Sequence, residues 1–373
     1  MKKIEYEFTR KRLMSGFDGI TCKACPSIDT DGEVTLLSYI MLYLKGTDIF
    51  NEFYLAKSTD GGKTFSEPIR QTHLPETHED NLIMRYSAVP YYNKTHKKWF
   101  GLGLKTPYED ETHTVIIDGV TPAKAFYCDI DTKTCQFVNP KNIDIPFEHV
   151  CGYNFGQFVE LEDGDMLVPF SFTTKDNTRL MIVTLRYRFT DSGIEVAEVG
   201  TPIVANDHGR GLAEPSLAKL KNKYYMTIRS DEVGLYAVSD DGYTFSEPKP
   251  YVWDDGTVLE NYNTQQHWMI NKDGLFLAYT RKGAHNDHVF RHRAPIFMTR
   301  FDEERECLIR DEEVILVPEL GARLGNFCAL APNDNEAWLI TAEWMQSWGE
   351  ELGICEKYGS DNSLWFTKVF WKN

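Results

Sequence analysis

The chain has 373 residues and a formal charge of −16, from 40 Lys and Arg against 56 Asp and Glu. That balance argues against nucleic acid and anionic membrane surfaces as partners, and it confines any anionic small ligand to a local basic cluster. The length suits one large closed architecture or two ordinary domains, and an aromatic content of 13% favours strands.

The N-terminus opens Met1-Lys2-Lys3, and residues 4–8 then alternate like a strand rather than forming the apolar segment of a secretory leader. No run is long and apolar enough to cross a bilayer as a helix. The expectation is a cytoplasmic protein, or a secreted or periplasmic one whose leader has been removed. Cys22 and Cys25 have CxxC spacing without a second pair, so the eight cysteines read as small buried thiols rather than a zinc site.

Downstream, short alternating or apolar runs are separated by Asp-Gly, Asn-Lys and Lys-Asp-Gly turns, an all-β pattern. The runs fall into six similar blocks. The first predicts strands at 24–28, 34–42, 53–57 and 68–71. The second predicts 88–92, 99–104, 125–129 and 135–138, and the third 156–161, 166–171, 180–186 and 194–199. The fourth opens on Ala213-Glu214-Pro215-Ser216 and continues at 223–229 and 234–238. The fifth has 266–270, 275–281, 294–301 and 307–309; the sixth has 327–331, 337–342 and 364–371. The sixth is one strand short, and residues 4–8 are placed to supply it and close a ring. Repetition every sixty residues or so points to a radial array in one domain spanning 1–373. The reading is a six-bladed β-propeller, with seven blades as the alternative.

Two outer turns repeat one chemistry. Ser58-Thr59-Asp60-Gly61-Gly62-Lys63-Thr64-Phe65 is matched by Ser239-Asp240-Asp241-Gly242-Tyr243-Thr244-Phe245, and each is followed by Ser-Glu-Pro. An Asp carboxylate can accept turn N–H groups, and Gly allows the backbone to reverse. The segment from Asp129 to Phe137 looks like a worn copy. The pattern resembles the Asp-box of the sialidase superfamily, a hairpin on the outside of β-propeller blades.

In such a ring, segments entering the inner strands and leaving the second strands make the functional face. The segments entering inner strands bring Lys23, Arg85, Tyr86, Tyr153, Asn154, Gln157, His208, Arg210, Glu214, Gln266, His267, Arg323 and Asn326. Those leaving second strands bring Lys175, Arg229 and Arg281, and a long loop of the fifth block adds His285, Asp287, His288, Arg291, His292 and Arg293. For so acidic a chain this is a concentrated basic, imidazole-rich set, suited to a carboxylate or sulfate on a sugar. Any single member is more often a structural ion pair or a satisfied histidine; it is the convergence that points to function. No cofactor is expected, and the histidine loop is read without a metal.

Glu214 and Arg229 carry a further resemblance. In sialidases a Glu in a Glu-Pro-Ser-like strand is followed one hairpin later by an Arg that holds the substrate carboxylate; here the interval is fifteen residues. The resemblance implies that Arg291 or Arg293 is a second carboxylate-binding arginine. It also implies that Asp48, ahead of the first turn motif, is an acid/base. The chain departs from that pattern in having Ala24 where the family's first arginine stands and no tyrosine near Arg323. The reading is therefore a glycosidase of the sialidase-like propeller type acting on uronate- or sialate-containing glycans. Catalysis is assigned to Glu214, His208, His267 and Asp48. Substrate binding is assigned to Arg229, Arg281, Arg210, His288, Arg291, Arg293, Gln266, Arg323 and Asn326. A uronate lyase or rhamnosidase-type enzyme relying on histidine, and a non-catalytic glycan-binding propeller, are the alternatives.

Overall fold

The structure is a computed structural model describing residues 3–45, 48–79, 82–109, 115–116, 121, 123–147, 149–150, 156–205, 209–345 and 352–372. Its strands form six antiparallel sheets, one for each sequence block, and the architecture is a six-bladed β-propeller. The first blade runs Thr21–Thr30, Thr35–Tyr43, Ile49–Ser58 and Ile69–Arg70. The fourth runs Ala213–Leu220, Lys223–Arg229, Leu235–Ser239 and Lys249–Pro250. Leading strands neighbour one another about a common axis: Thr21–Thr30 meets both Leu82–Asn93 and Phe327–Asn333, and His267–Asn271 meets both Ala213–Leu220 and Phe327–Asn333.

Twisted sheets packed face to face must bury one another's apolar surfaces. Six hydrophobic clusters do this, each spanning one interface between successive blades. Leu36, Phe53 and Leu55 of the first blade meet Ile83, Trp99 and Phe126 of the second, for example. The sixth such cluster joins Trp338, Ile340 and Phe366 of the last blade to Ile28, Leu37 and Tyr39 of the first. The ring is thus closed by packing. It is also closed by pairing: Tyr6–Leu13 lies antiparallel to Leu364–Trp371, with Tyr6 opposite Trp371 and Leu13 opposite Leu364. The expected closing strand exists and extends five residues beyond the predicted segment.

The repeated turns are built as their residues suggest. Asp60 accepts the Thr64 N–H at 2.9 Å and the Thr64 hydroxyl at 2.6 Å, while Ser58 Oγ accepts the Gly62 N–H. In the second turn Asp241 accepts from Tyr243 and Thr244 N–H groups at 2.7 and 2.8 Å. Among the described residues the one α-helix is short, Leu352–Lys357, beside two single-turn 3-10 helices. No helix among those residues is long and apolar enough to cross a membrane.

Candidate functional site

Loops on one face enclose a cavity of about 590 Å³ at the propeller axis. Its lining includes Asp48, Glu214, Arg210, Arg229, Arg291, Arg293, Arg323 and Asn326, gathered from the first, fourth, fifth and sixth blades. Apolar side chains complete the lining, among them Ile40, Leu42, Leu104, Tyr108, Leu180 and Trp344.

Strand pairing explains the central ion pair. Ala213 lies opposite Arg229 across the hairpin, so Glu214 and Arg229 reach the same end of the blade. Arg229 Nη1 donates to Glu214 Oε1 at 2.6 Å. The other carboxylate oxygen, Oε2, is buried and has no protein partner. The register shifts between Ala213 and Ser216, and Glu214 holds left-handed backbone at φ 45. For a residue with a Cβ that conformation is strained by roughly 1–3 kcal/mol, and it occurs where a side chain must be aimed.

The first blade repeats the device. Its register shifts between Ala24 and Ser27, and Cys25 holds φ 47. The segments Cys25-Pro26-Ser27 and Glu214-Pro215-Ser216 therefore share one backbone irregularity, and both leading residues line the cavity. Cys25 was missing from the sequence-based site, although the repeated Pro-Ser pair was the signal for it. Asn326 Nδ2 donates to its Sγ at 3.5 Å. Burial, with Asp48 adding to it, pushes the thiol up to about 12, so it stays protonated.

Asn263 is a second residue that sequence reasoning missed. Its Oδ1 accepts from Arg229 at 2.5 Å, Arg210 at 3.3 Å and Arg291 at 3.4 Å, and its backbone carbonyl accepts from Arg293 at 2.5 Å. One asparagine, itself at φ 47, thereby draws together four arginines. Arg293 also donates to Asn326 Oδ1 at 3.3 Å, and Arg323 lies over the Trp344 ring at 4.2 Å. Arg210 is tied to Asp231 by Nε and Nη2.

These cations are crowded. Burial, with Arg229 next, holds Arg293 down to about 9, and burial holds Arg323 down to about 10. Arg291 is lowered by burial and by Arg229 and Arg210. Guanidinium groups do not give up their protons at such sites. The depression instead reflects burial of the guanidinium groups, to which neighbouring arginines add. Among the described residues, six arginines, Arg179 included, and three carboxylates (Asp48, Glu214 and Asp231) line the cavity, in a chain whose overall charge is −16. Asp48, at φ 53, has its carboxyl raised by burial and by Glu214, against the pull of Arg323, Arg293 and Arg229. The cavity thus holds a carboxyl shifted toward its protonated form beside an ion-paired carboxylate, the division of labour that acid and base roles require.

The remaining predicted residues lie elsewhere. His267 is buried on the axis below, where its Nδ1 is 2.6 Å from Ser216 Oγ and its Nε2 3.3 Å from Gln265 Oε1. It lines a separate 480 Å³ cavity that shares Cys25 and Asn326 with the first. Burial holds its ring down to about 4, so it is neutral. Gln266 is buried and bonds to the Thr264 carbonyl. Arg281 forms two bonds to Glu313, and His288 pairs with Glu319 at 3.0 Å and stacks on Tyr358. Lys23 is turned to the Asn362 carbonyl, Arg85 to Glu76, and Gln157 to the Trp268 backbone. His208, Tyr153 and Asn154 lie outside the described residues.

No protein-family model matches the chain, and no curated protein matches it. Solved structures do. A NanB sialidase from Streptococcus pneumoniae, in complex with 2-[(3-chlorobenzyl)ammonio]ethanesulfonate, aligns at 11% identity and a TM-score of 0.59. The alignment covers 94% of this chain and 68% of that one. The alpha-L-arabinofuranosidase arb93a from Fusarium graminearum aligns at 13% identity and a TM-score of 0.56, covering 95% and 94%. An alpha-L-arabinanase from Penicillium chrysogenum, complexed with arabinobiose, aligns at 11% identity and 0.54, covering 96% and 98%. The chain therefore has the propeller fold found in sialidases and other glycoside hydrolases.

Proposed function

We propose that the protein is a glycoside hydrolase that cleaves a sugar from an acidic glycan, with the arginine cluster holding the carboxylate. The observation that carries this reading is the convergence of Arg229, Arg291 and Arg293 on a cavity of monosaccharide-to-disaccharide size that also holds Asp48 and Glu214. Arg229, Arg291, Arg293 and Arg323 are the anion-binding residues, and a planar carboxylate suits their forked donors. Asp48 is the general acid: its raised carboxyl carries the proton that a departing glycosidic oxygen needs. Glu214, with one oxygen fixed by Arg229 and one unpartnered, is the carboxylate that assists water or attacks the anomeric carbon. Hydrolysis on this scheme breaks the C–O bond, protonates the leaving oxygen and adds the elements of water. His267 lies outside the arginine-lined cavity, against Ser216 and Gln265, and so does not serve as the base of an elimination there.

The test is product mass. The purified protein is incubated with a pool of acidic oligosaccharides and the products are weighed by mass spectrometry. Fragments that together exceed the parent by one water are expected. Fragments that sum to the parent mass, one of them unsaturated, would show elimination and reject the hydrolase reading.

A further inference from the structure

Behind the arginines lies a contact that the proposed chemistry does not use. The Tyr262 hydroxyl sits 2.8 Å from His292 Nδ1, and His292 Nε2 lies 3.2 Å from Asp287 Oδ1. His292 directly follows Arg291, and the two hold left-handed backbone at φ 52 and φ 55. A pair of consecutive non-glycine residues in that region persists only where the surroundings impose it. Asn286 imposes part of it, since its buried amide donates to the carbonyls of Arg281, His292 and Ala294 at 2.9, 3.4 and 2.6 Å. Tyr262 adds a tie to the His292 ring itself.

We propose that Tyr262 and His292 are positioning residues for anion binding, their mutual hydrogen bond holding the 290–292 turn so that Arg291 is presented to the cavity. The proposal rests on the reading of that cavity as an anion site. Three observations support it. Tyr262 and Asn263 are consecutive, so one short segment grips both ends of Arg291: Asn263 Oδ1 takes its guanidinium at 3.4 Å, and Tyr262 takes the residue after it. Arg291 needs such a grip, because it is part-buried and Arg229 and Arg210 repel it, while Asp231 is the carboxylate that favours its charge. Tyr262 is itself anchored by a cation–π contact, with Lys282 Nζ 4.6 Å from its ring centroid, which leaves the hydroxyl edge directed to His292. Asp287 is almost fully exposed and adds little beyond orienting the outer ring nitrogen. Arg293, two residues on from Arg291, is held by the Asn263 carbonyl and Asn326 rather than through Tyr262.

Two measurements test this. The first is a pair of crystal structures, of the native protein and of Tyr262→Phe, which keeps the ring on Lys282 and removes only the hydroxyl. Arg291 is expected to leave Asn263 in the variant; an unmoved Arg291 overturns the proposal whatever the protein's substrate is. The second is calorimetric titration with glucuronate as the carboxylate probe. Tyr262→Phe should weaken binding about tenfold in the native background, the scale of a displaced positioning contact, and should have no further effect in Arg291→Ala. An equal loss in both backgrounds also overturns it. His292→Asn, which places an amide near the position of Nδ1, should retain most of the affinity that His292→Ala loses. A native protein that ignores glucuronate counts against the anion-site reading, and the crystallographic arm then decides the clamp alone.

Discussion

Glu214 and Asp48 differ in how they are held, and the difference makes separate predictions. Glu214→Gln keeps the shape and a bond to Arg229 but removes the negative charge from the unpartnered oxygen. Turnover (kcat/KM) on an acidic glycoside should fall by roughly 10²–10⁴ while the protein stays folded; a variant with full activity removes Glu214 from the chemistry. Asp48 carries a raised carboxyl, chiefly through burial. A general acid must be protonated, so activity should fall as pH rises through its pKa, on the alkaline side of the usual carboxylate range. In Asp48→Asn that alkaline limb should vanish along with most of the rate, and a limb that survives assigns the acid to another group. Asn263 belongs to a different category, because it touches the arginines rather than the reacting atoms. Its replacement by Ala should raise KM about tenfold and leave kcat nearly unchanged, since ground-state and transition-state anion binding suffer alike. A drop confined to kcat would contradict that role.

At the level of elements, the inner strands do two jobs: they pack the axis, and at two bulges they turn a side chain into the cavity. His267 shows the first. It sits 3% exposed and neutral between Ser216 and Gln265, with its pKa held down to about 4 from an ordinary value of 6.5. A depressed folded-state pKa contributes stability that is fully present above pH 6.5 and is lost as pH falls through 4. The loss should approach about 3 kcal/mol, an upper figure for a shift of this size. Urea unfolding at pH 7 and pH 4 measures it, and His267→Asn should flatten that part of the pH dependence; an unchanged slope means the ring does not titrate with unfolding. The same elements explain what was legible beforehand. Glu214 and Arg229 could be read because a fifteen-residue hairpin brings its ends together, as the Ala213–Arg229 pairing confirms. The outer turns could be read because Ser, Asp, Gly and Thr act there through local bonds. Cys25 was hidden because its direction depends on a bulge, which only the shared Pro-Ser pair marks, and Asn263 because its meaning lies in four partners distant in sequence. The histidines of the fifth blade drew attention by residue type alone. Burial and partners place His267 on the axis and His288 against Glu319 and Tyr358.

For the whole molecule the decisive contact is the one between its ends. The last blade reaches four strands only because Tyr6–Leu13, from the other end of the chain, pairs beside Leu364–Trp371. Backbone pairing there is reinforced by a buried charge. Glu343, 1% exposed, accepts from Arg12 Nη2 at 3.0 and 3.1 Å, and also from Trp365 Nε1 and the Asp361 and Ser363 N–H groups. Arg12 additionally bonds to Asp361 at 2.6 Å and stands over the Trp365 ring. Removing the arginine leaves the carboxylate buried with neutral donors only. Arg12→Ala should therefore destabilise the protein by about 2–4 kcal/mol, well above the effect of an exposed ion pair. Lys372→Ala, which breaks an exposed pair with Glu7 in the same closing region, supplies the control and should cost less than about 1 kcal/mol. Denaturant unfolding of the two variants separates the cases. A small, equal change in both would mean that the ring is held by its six apolar interfaces and that the Arg12–Glu343 pair adds nothing to closure. A large change for Arg12 alone would show that the buried Arg12–Glu343 pair contributes to holding Tyr6–Leu13 in the last blade.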